Sequence, residues 1–310
     1  MDRREFVAAA AGAMAAGGAV RGAAGAKAPG AGQQPGGSGK RFTMAFGPHP
    51  GMFAAHAGGS IVDQVLFAAD QGFSGWEDNG LKGLSKEEQE KIAQAQGRAG
   101  MQMGIFVAHS IDWGSPSLTS GKKEAVEKFV AEMKESVEVA KRMNTKVCTV
   151  VPGVEARNLP VGVQTANVVE ALKRAAAVCE PSGLVMVCEP LNWRDHAGLF
   201  LRYSDQAYAI MKAVGSPSCK ILFDIYHQQA TEGNLIENIR RCWDEIGYFQ
   251  IGDNPGRREP GTGEINYKNV FRAIRDKGYT GVLGMEHGNS KPGKEGEQAV
   301  IAAYREADPG

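Results

Sequence analysis

The chain has 310 residues, with 35 basic against 35 acidic side chains, 41 glycines and five cysteines. That length suits two average domains or one large α/β domain, and 43% hydrophobic with 23% charged residues excludes wholesale disorder. A net charge of zero offers no field for a phosphate backbone, so no nucleic-acid partner is expected.

The first forty residues hold ten of the glycines and read differently from the rest. Asp2-Arg3-Arg4-Glu5-Phe6 precedes an Ala-rich apolar run from Val7 to Val20, and small residues surround Ala24-Gly25-Ala26. A charged start, a modest apolar stretch and an A-x-A site make a secretory signal. The paired arginines resemble those of a twin-arginine signal. The apolar run is too short and too weakly hydrophobic for a hydrocarbon core of roughly 30 Å, so no stable membrane insertion is expected. From Lys27 to Lys40 the composition is that of a flexible linker. The expectation is a signal over 1–26, a linker over 27–40, one folded domain over 41–310, and export to the periplasm. The cysteines, Cys148, Cys179, Cys188, Cys219 and Cys242, are odd in number and form no C-x-x-C. They imply no disulfide framework, as suits a protein that folds in the reducing cytoplasm before export.

From Arg41 onward, apolar runs alternate with amphipathic stretches. The strands are expected at Phe42–Phe46, Gly75–Glu77, Gln102–Ala108, Val147–Val151, Leu184–Glu189, Ile221–Asp224, Tyr248–Ile251 and Val282–Glu286. Continuous apolar runs without alternation suit parallel strands buried on both faces. Helices are expected at Ser60–Gln71, Ser85–Gly97 (opening on a capping box), Lys122–Met143, Val163–Cys179, Ser204–Val214, Leu235–Ile246, Tyr267–Asp276 and Lys294–Glu306. Gly72, Gly100, Gly215, Gly247 and Gly278 fall just past helix ends, where a left-handed cap wants glycine. Eight βα units predict a single (β/α)8 barrel. A doubly wound open sheet fits less well, because no G-x-G-x-x-G follows a strand.

In such a barrel the site lies at the C-terminal ends of the strands. Four consecutive strands end in ligand-type residues: strand five in Glu189, strand six in Asp224, strand seven carries Gln250, and strand eight ends in Glu286. Three carboxylates and an amide oxygen are hard ligands that suit Mg2+ or Mn2+. Left without a cation, the carboxylates would repel one another and their pKa values would rise.

The runs Cys188-Glu189-Pro190-Leu191-Asn192-Trp193-Arg194-Asp195, Phe223-Asp224-Ile225-Tyr226-His227, Met285-Glu286 and the long segment from Phe249 to Tyr267 resemble hydroxypyruvate isomerase. That enzyme belongs to the xylose-isomerase-like TIM-barrel superfamily, which also holds the ketose 3-epimerases and endonuclease IV. The likeness is dense from about Gly183 to Glu286 and looser from Arg41 to Pro152. It implies Glu189, Asp224, Gln250 and Glu286 as metal ligands, Glu189 and Glu286 as the catalytic pair that moves the substrate proton, and His227 and Arg257 as contacts to substrate oxygens. Asp195, also a candidate substrate contact, stands where the epimerases tend to carry Glu. The epimerases and nucleases typically place histidine at the strand-seven ligand, so Gln250 points to the isomerase branch.

The reaction implied is the interconversion of hydroxypyruvate and tartronate semialdehyde through a metal-stabilised enediolate. A ketose 3-epimerase uses the same apparatus and remains open, as does a non-catalytic sugar-binding barrel. A histidine-rich zinc nuclease is disfavoured by six histidines and zero net charge. The partner expected is therefore a small hydroxy-keto acid or sugar. Asp253–Gly263 reads as a lid or a contact in a homo-oligomer. His109 follows strand three and is a candidate substrate contact, and Glu77 a candidate for the site lining. His49 and His56 carry no assigned role, and Trp113 and Trp193 form either an apolar wall or plain packing.

Overall fold

The computed structural model describes residues 39–310. The expected signal, 1–26, and nearly all of the expected linker lie outside those residues.

Among the described residues there are eight short strands: β1 Ala45–Gly47, β2 Gly75–Trp76, β3 Gln102–Met103, β4 Val147–Val150, β5 Val185–Cys188, β6 Cys219–Asp224, β7 Ile246–Gln250 and β8 Val282–Gly284. Six of them form one parallel sheet in the order β1-β8-β7-β6-β5-β4, and β2 pairs with β3. Backbone bonds join the two pieces. The Glu77 N–H donates to Pro48 O at 2.9 Å, the Ala108 N–H to Thr149 O at 3.0 Å and the Thr149 N–H to Phe106 O at 2.9 Å. The strands therefore run round in chain order and β1 meets β8, as the eight-unit pattern predicts.

The helices are α1 Ala54–Ala57, α2 Ile61–Asp70, α3 Lys86–Ala99, α4 Lys123–Met143, α5 Val161–Cys179, α6 Ser204–Val214, α7 Ile225–Thr231, α8 Leu235–Cys242, α9 Tyr267–Asp276 and α10 Gly293–Ala307. Their apolar faces meet the outer faces of the strands in one large buried cluster. Ser85 and Glu88 form the expected capping box of α3. None of the described helices is long and apolar enough to cross a membrane. All five cysteines are buried and unpaired.

The structure departs from the sequence reading at several places. The third strand, expected over Gln102–Ala108, ends as a regular strand at Met103, with an isolated bridge further on where Val107 meets Thr149. Two short helices, α1 and α7, stand where loops were expected, because four and seven residues are too few to show a 3.6-residue period. Gly247 is not a helix cap: α8 ends at Cys242 and a tight 3-10 turn leads straight into β7. Gly247 sits inside the strand, where an added Cβ would lie 2.9 Å from Val187 Cγ1 and Lys220 Cβ.

Candidate active site

The C-terminal strand ends converge as expected, and burial sets their electrostatics. Glu189 follows β5, Asp224 ends β6, Gln250 ends β7 and Glu286 follows β8. Asp224 and Gln250 are fully enclosed and Glu189 nearly so, whereas the Glu286 side chain keeps about a quarter of its surface exposed. Among the described residues, Glu189, Asp224 and His227 bring one ligand-type atom each to within 4.8 Å of one another.

Asp224 works in two directions. Its Oδ1 caps α7 by accepting the N–H of Tyr226 at 2.8 Å and of His227 at 3.3 Å. Its Oδ2 accepts from Arg257 Nη2 at 3.1 Å. The same Nη2 reaches Glu286 Oε2 at 2.5 Å, and Arg257 Nε donates to Glu286 O at 3.1 Å. Asn79, just beyond β2, donates to the other Glu286 oxygen at 2.7 Å. Arg257 Nη1 makes no hydrogen bond among the described residues, so one edge of the guanidinium remains for a ligand.

One cation does not balance this cluster. Burial, aided by Glu286 and Asp224, pushes the Glu189 carboxyl well above the usual carboxylate range. Burial also lifts Asp224 to about 7, against the pull of Arg257. Three buried acceptor or ring atoms of this cluster find no partner among the described residues: Glu189 Oε1, Gln250 Oε1 and His227 Nε2. Buried polar atoms are rarely left unpaired in a folded protein. The two oxygens, beside carboxylates whose charge is under-compensated, fit a hard divalent cation.

His227 is a different case, although its Nε2 lies 3.5 Å from Asp224 Oδ2 and 3.8 Å from Glu189 Oε1. Asn192 fixes its tautomer. Asn192 Oδ1 accepts the Asp195 N–H at 2.9 Å, which turns the amide nitrogen toward His227 Nδ1 at 2.6 Å. The Asn192 backbone N–H faces the same Nδ1 at 3.3 Å. Two donors make Nδ1 an acceptor, so a neutral ring carries its proton on Nε2. Burial, followed by the nearby Arg257, drives the His227 pKa well below its ordinary value, so the ring is neutral. His227 thus presents an N–H donor to the site rather than a lone pair.

The remaining sequence candidates fall around this centre. Asp195 accepts from Asn192 Nδ2 at 3.1 Å and from the Tyr226 hydroxyl at 2.6 Å, one step behind His227. His109 is engaged elsewhere: Nε2 accepts the Val151 N–H at 3.1 Å and Nδ1 faces Ser110 O at 3.2 Å. Both ring nitrogens are consumed in tying the β3–β4 edge together, which leaves none for a substrate oxygen. His56 pairs with Glu297 of α10, and His49 spans Pro50 O and His287 O. Trp113 is half exposed and stacks on His196 at 5.2 Å, and His196 packs 5.4 Å from His227. Trp193 is also partly exposed and carries Arg202 over its ring at 3.7 Å.

Glu77 lies beneath the site rather than in its lining, almost fully buried, accepting from Gln250 Nε2 at 2.8 Å and from Tyr248 Oη at 2.9 Å. Sequence reasoning assigned no part to Asn192, Tyr248 or Asn79. The polar run Glu77-Asp78-Asn79 at a strand end was the available signal for Asn79. A separate cavity of about 380 Å3 at the opposite end of the barrel, around Gly104, Lys146, Gly247 and Tyr279, has no carboxylate or imidazole in its lining.

Parallel strands alternating with helices around a ring, with carboxylates gathered at its C-terminal mouth, define a βα-barrel of the carboxylate-centred kind. A family model described as xylose isomerase-like TIM barrel matches residues 65–307, and the chain belongs to that family. Over 122 residues, 39% of this chain, it is 41% identical to hydroxypyruvate isomerase of Escherichia coli, with 47% of that protein covered. It is 38% identical over 122 residues to 2-oxo-tetronate isomerase of Cupriavidus necator, covering 39% of this chain and 47% of that protein. The chain spans about half the length of the curated relatives it matches. Solved structures share the fold over most of both chains. An AP endonuclease family 2 protein from Brucella melitensis matches with a TM-score of 0.72 and 23% identity, covering 84% of this chain and 99% of that one. A D-psicose 3-epimerase from Clostridium cellulolyticum matches with a TM-score of 0.70 and 17% identity, covering 85% and 98%.

Proposed function

We propose that the protein is a metal-dependent isomerase that moves a proton between adjacent carbons of a small α-hydroxy carbonyl acid, with hydroxypyruvate as the reference substrate. The observation that carries this reading is the placement of Glu189 and Glu286, on strands five and eight, around one buried centre that also holds Asp224 and Gln250. The relatives named as hydroxypyruvate and 2-oxo-tetronate isomerases support it. Glu189, Asp224, Gln250 and Glu286 would hold the metal, Mg2+ or Mn2+. When bound, such an ion polarises a carbonyl and stabilises the negative charge that develops on deprotonation.

The chain's own groups supply the rest. Glu189, whose carboxyl burial pushes above the usual carboxylate range, is a stronger base than a solvated carboxylate and is suited to accept a C–H proton and return it. Glu286, at the open side of the mouth, serves the neighbouring carbon. His227 Nε2–H donates to the substrate oxygen on which charge builds. The free edge of Arg257 takes the substrate carboxylate.

The test follows deuterium incorporation by NMR with Mn2+-loaded protein and hydroxypyruvate in heavy water. Wild type incorporates solvent deuterium, and Glu189→Gln and Glu286→Gln each lose on the order of 10³-fold while remaining folded. Unchanged exchange in both variants sinks the two-glutamate assignment. A ketose 3-epimerisation is the second reading. It is favoured by the half-exposed Trp113–His196 stack beside His227, an apolar face that a three-carbon acid does not need. Exchange into a ketose but not into hydroxypyruvate selects that reading.

A further inference from the structure

We propose that Glu77 is a positioning residue for the metal centre: it fixes the orientation of the Gln250 amide so that oxygen, and not nitrogen, faces the site. This rests on the proposed metal reading. A glutamine side chain is nearly symmetric in shape, and its two ends differ only in what they bond. Gln250 is buried on both sides, so a flipped amide would aim an NH2 group at the cation and remove the ligand. Gln250 Nε2 donates to Glu77 Oε1 at 2.8 Å, and Gln250 Oε1 has no partner among the described residues. With Glu77 Oε2 taking the Tyr248 O–H, Oε1 faces the amide as an acceptor, so the flipped form loses its bond and sets two oxygens against each other.

The fold makes room for this arrangement. At Gly284 of β8, the register partner of Gln250, an added Cβ would lie 1.7 Å from Glu77 Oε2. At Gly104, just beyond β3, it would lie 2.2 Å from Tyr248 Oη. β8 and the segment just after β3 thus forgo side chains where the Glu77–Tyr248 pair passes. Tyr248 Oη donates to Glu77 Oε2 at 2.9 Å and holds the carboxyl so that its other oxygen points at Gln250. A carboxyl group in a barrel core is costly unless bonded on both oxygens, and both bonds here lead toward the strand-seven ligand. Partners that orient metal ligands in this way typically contribute 10- to 100-fold in metal affinity.

The experiment measures Mn2+ affinity by electron paramagnetic resonance of the free ion, with folding checked by circular dichroism and thermal unfolding. Glu77→Leu, which offers no acceptor, is expected to weaken Mn2+ binding by roughly 10-fold or more. The exchange variant E77Q/Q250E puts a symmetric carboxylate at the ligand position with an amide donor behind it, and it binds within about 3-fold of wild type. A folded Glu77→Leu protein that binds Mn2+ like wild type overturns the proposal, and so does an exchange variant that folds but binds like Glu77→Leu. Wild-type protein that binds no Mn2+ overturns the metal reading itself, a distinct result.

Discussion

Asn192 decides what His227 can contribute. By distance alone, the His227 ring could be counted with Glu189 and Asp224 as a ligand. The donors on Nδ1 place the ring proton on the site side, and the residue becomes a hydrogen-bond donor facing the site. His109, which follows a strand in the same barrel, is consumed by backbone bonds, and burial lowers its pKa to about 4. That depression has a consequence for stability. The folded protein binds the His109 proton less tightly than the unfolded chain, whose ring titrates near 6.5. The stabilisation is therefore complete above pH 6.5 and is lost as pH falls from there through about 4, a difference of roughly 3 kcal/mol. Urea unfolding at pH 7 and pH 4.5 should show a smaller loss for His109→Gln than for wild type. Equal losses would mean that His109 is not held neutral by the fold.

The segment after β7 shows how a loop is made precise. Asp253 accepts four backbone N–H groups: from Asn254 at 2.9 Å, Ile265 at 3.1 Å, Gly261 at 2.8 Å and Gly263 at 2.9 Å. This gathers the residues around Arg257, whose backbone adopts the left-handed conformation at φ 51°. For a non-glycine residue that costs about 1 kcal/mol or more, and it persists where surrounding bonds demand it. The segment, expected as a lid or an oligomer contact, thus forms an arm that delivers a guanidinium to Asp224 and Glu286. Asp253→Ala should raise KM for the substrate by about 10-fold or more through loss of the Arg257 carboxylate contact. Mn2+ affinity should change little, because Glu189, Asp224 and Gln250 are placed by the strands. Steady-state kinetics beside Mn2+ titration checks this, and an unchanged KM would show that Asp253 does not set the arm.

For the barrel as a whole, a cation that binds only the folded state should stabilise it by mass action. At 100 times its dissociation constant Mn2+ adds about 2.7 kcal/mol, which for a domain of this size is a rise in Tm of roughly 5 °C. Calorimetry of EDTA-treated and Mn2+-loaded protein measures it, and Asp224→Asn should abolish most of the rise. An equal rise in that variant would place the ion elsewhere.

Element type and order, the barrel class and the four polar strand-end positions were legible in the chain. Parallel strands buried on both faces need continuous apolar runs, and the first polar residue after each run marks the mouth. Less visible were the bonds that give each polar residue its task. Nothing local to Glu77 says that it backs Gln250, 173 positions away. Nothing local to His109 or His227 says which nitrogens are already committed. The glycine excess divides along the same line. Gly100 and Gly215 cap helices as their positions imply, in the left-handed conformation. Gly104, Gly247 and Gly284 are required by side chains from other strands. Periodicity and capping act over a few neighbouring residues, so they can be read from a single chain. Tautomers, amide orientations and room for a buried carboxyl depend on groups that meet only when the ring of strands closes.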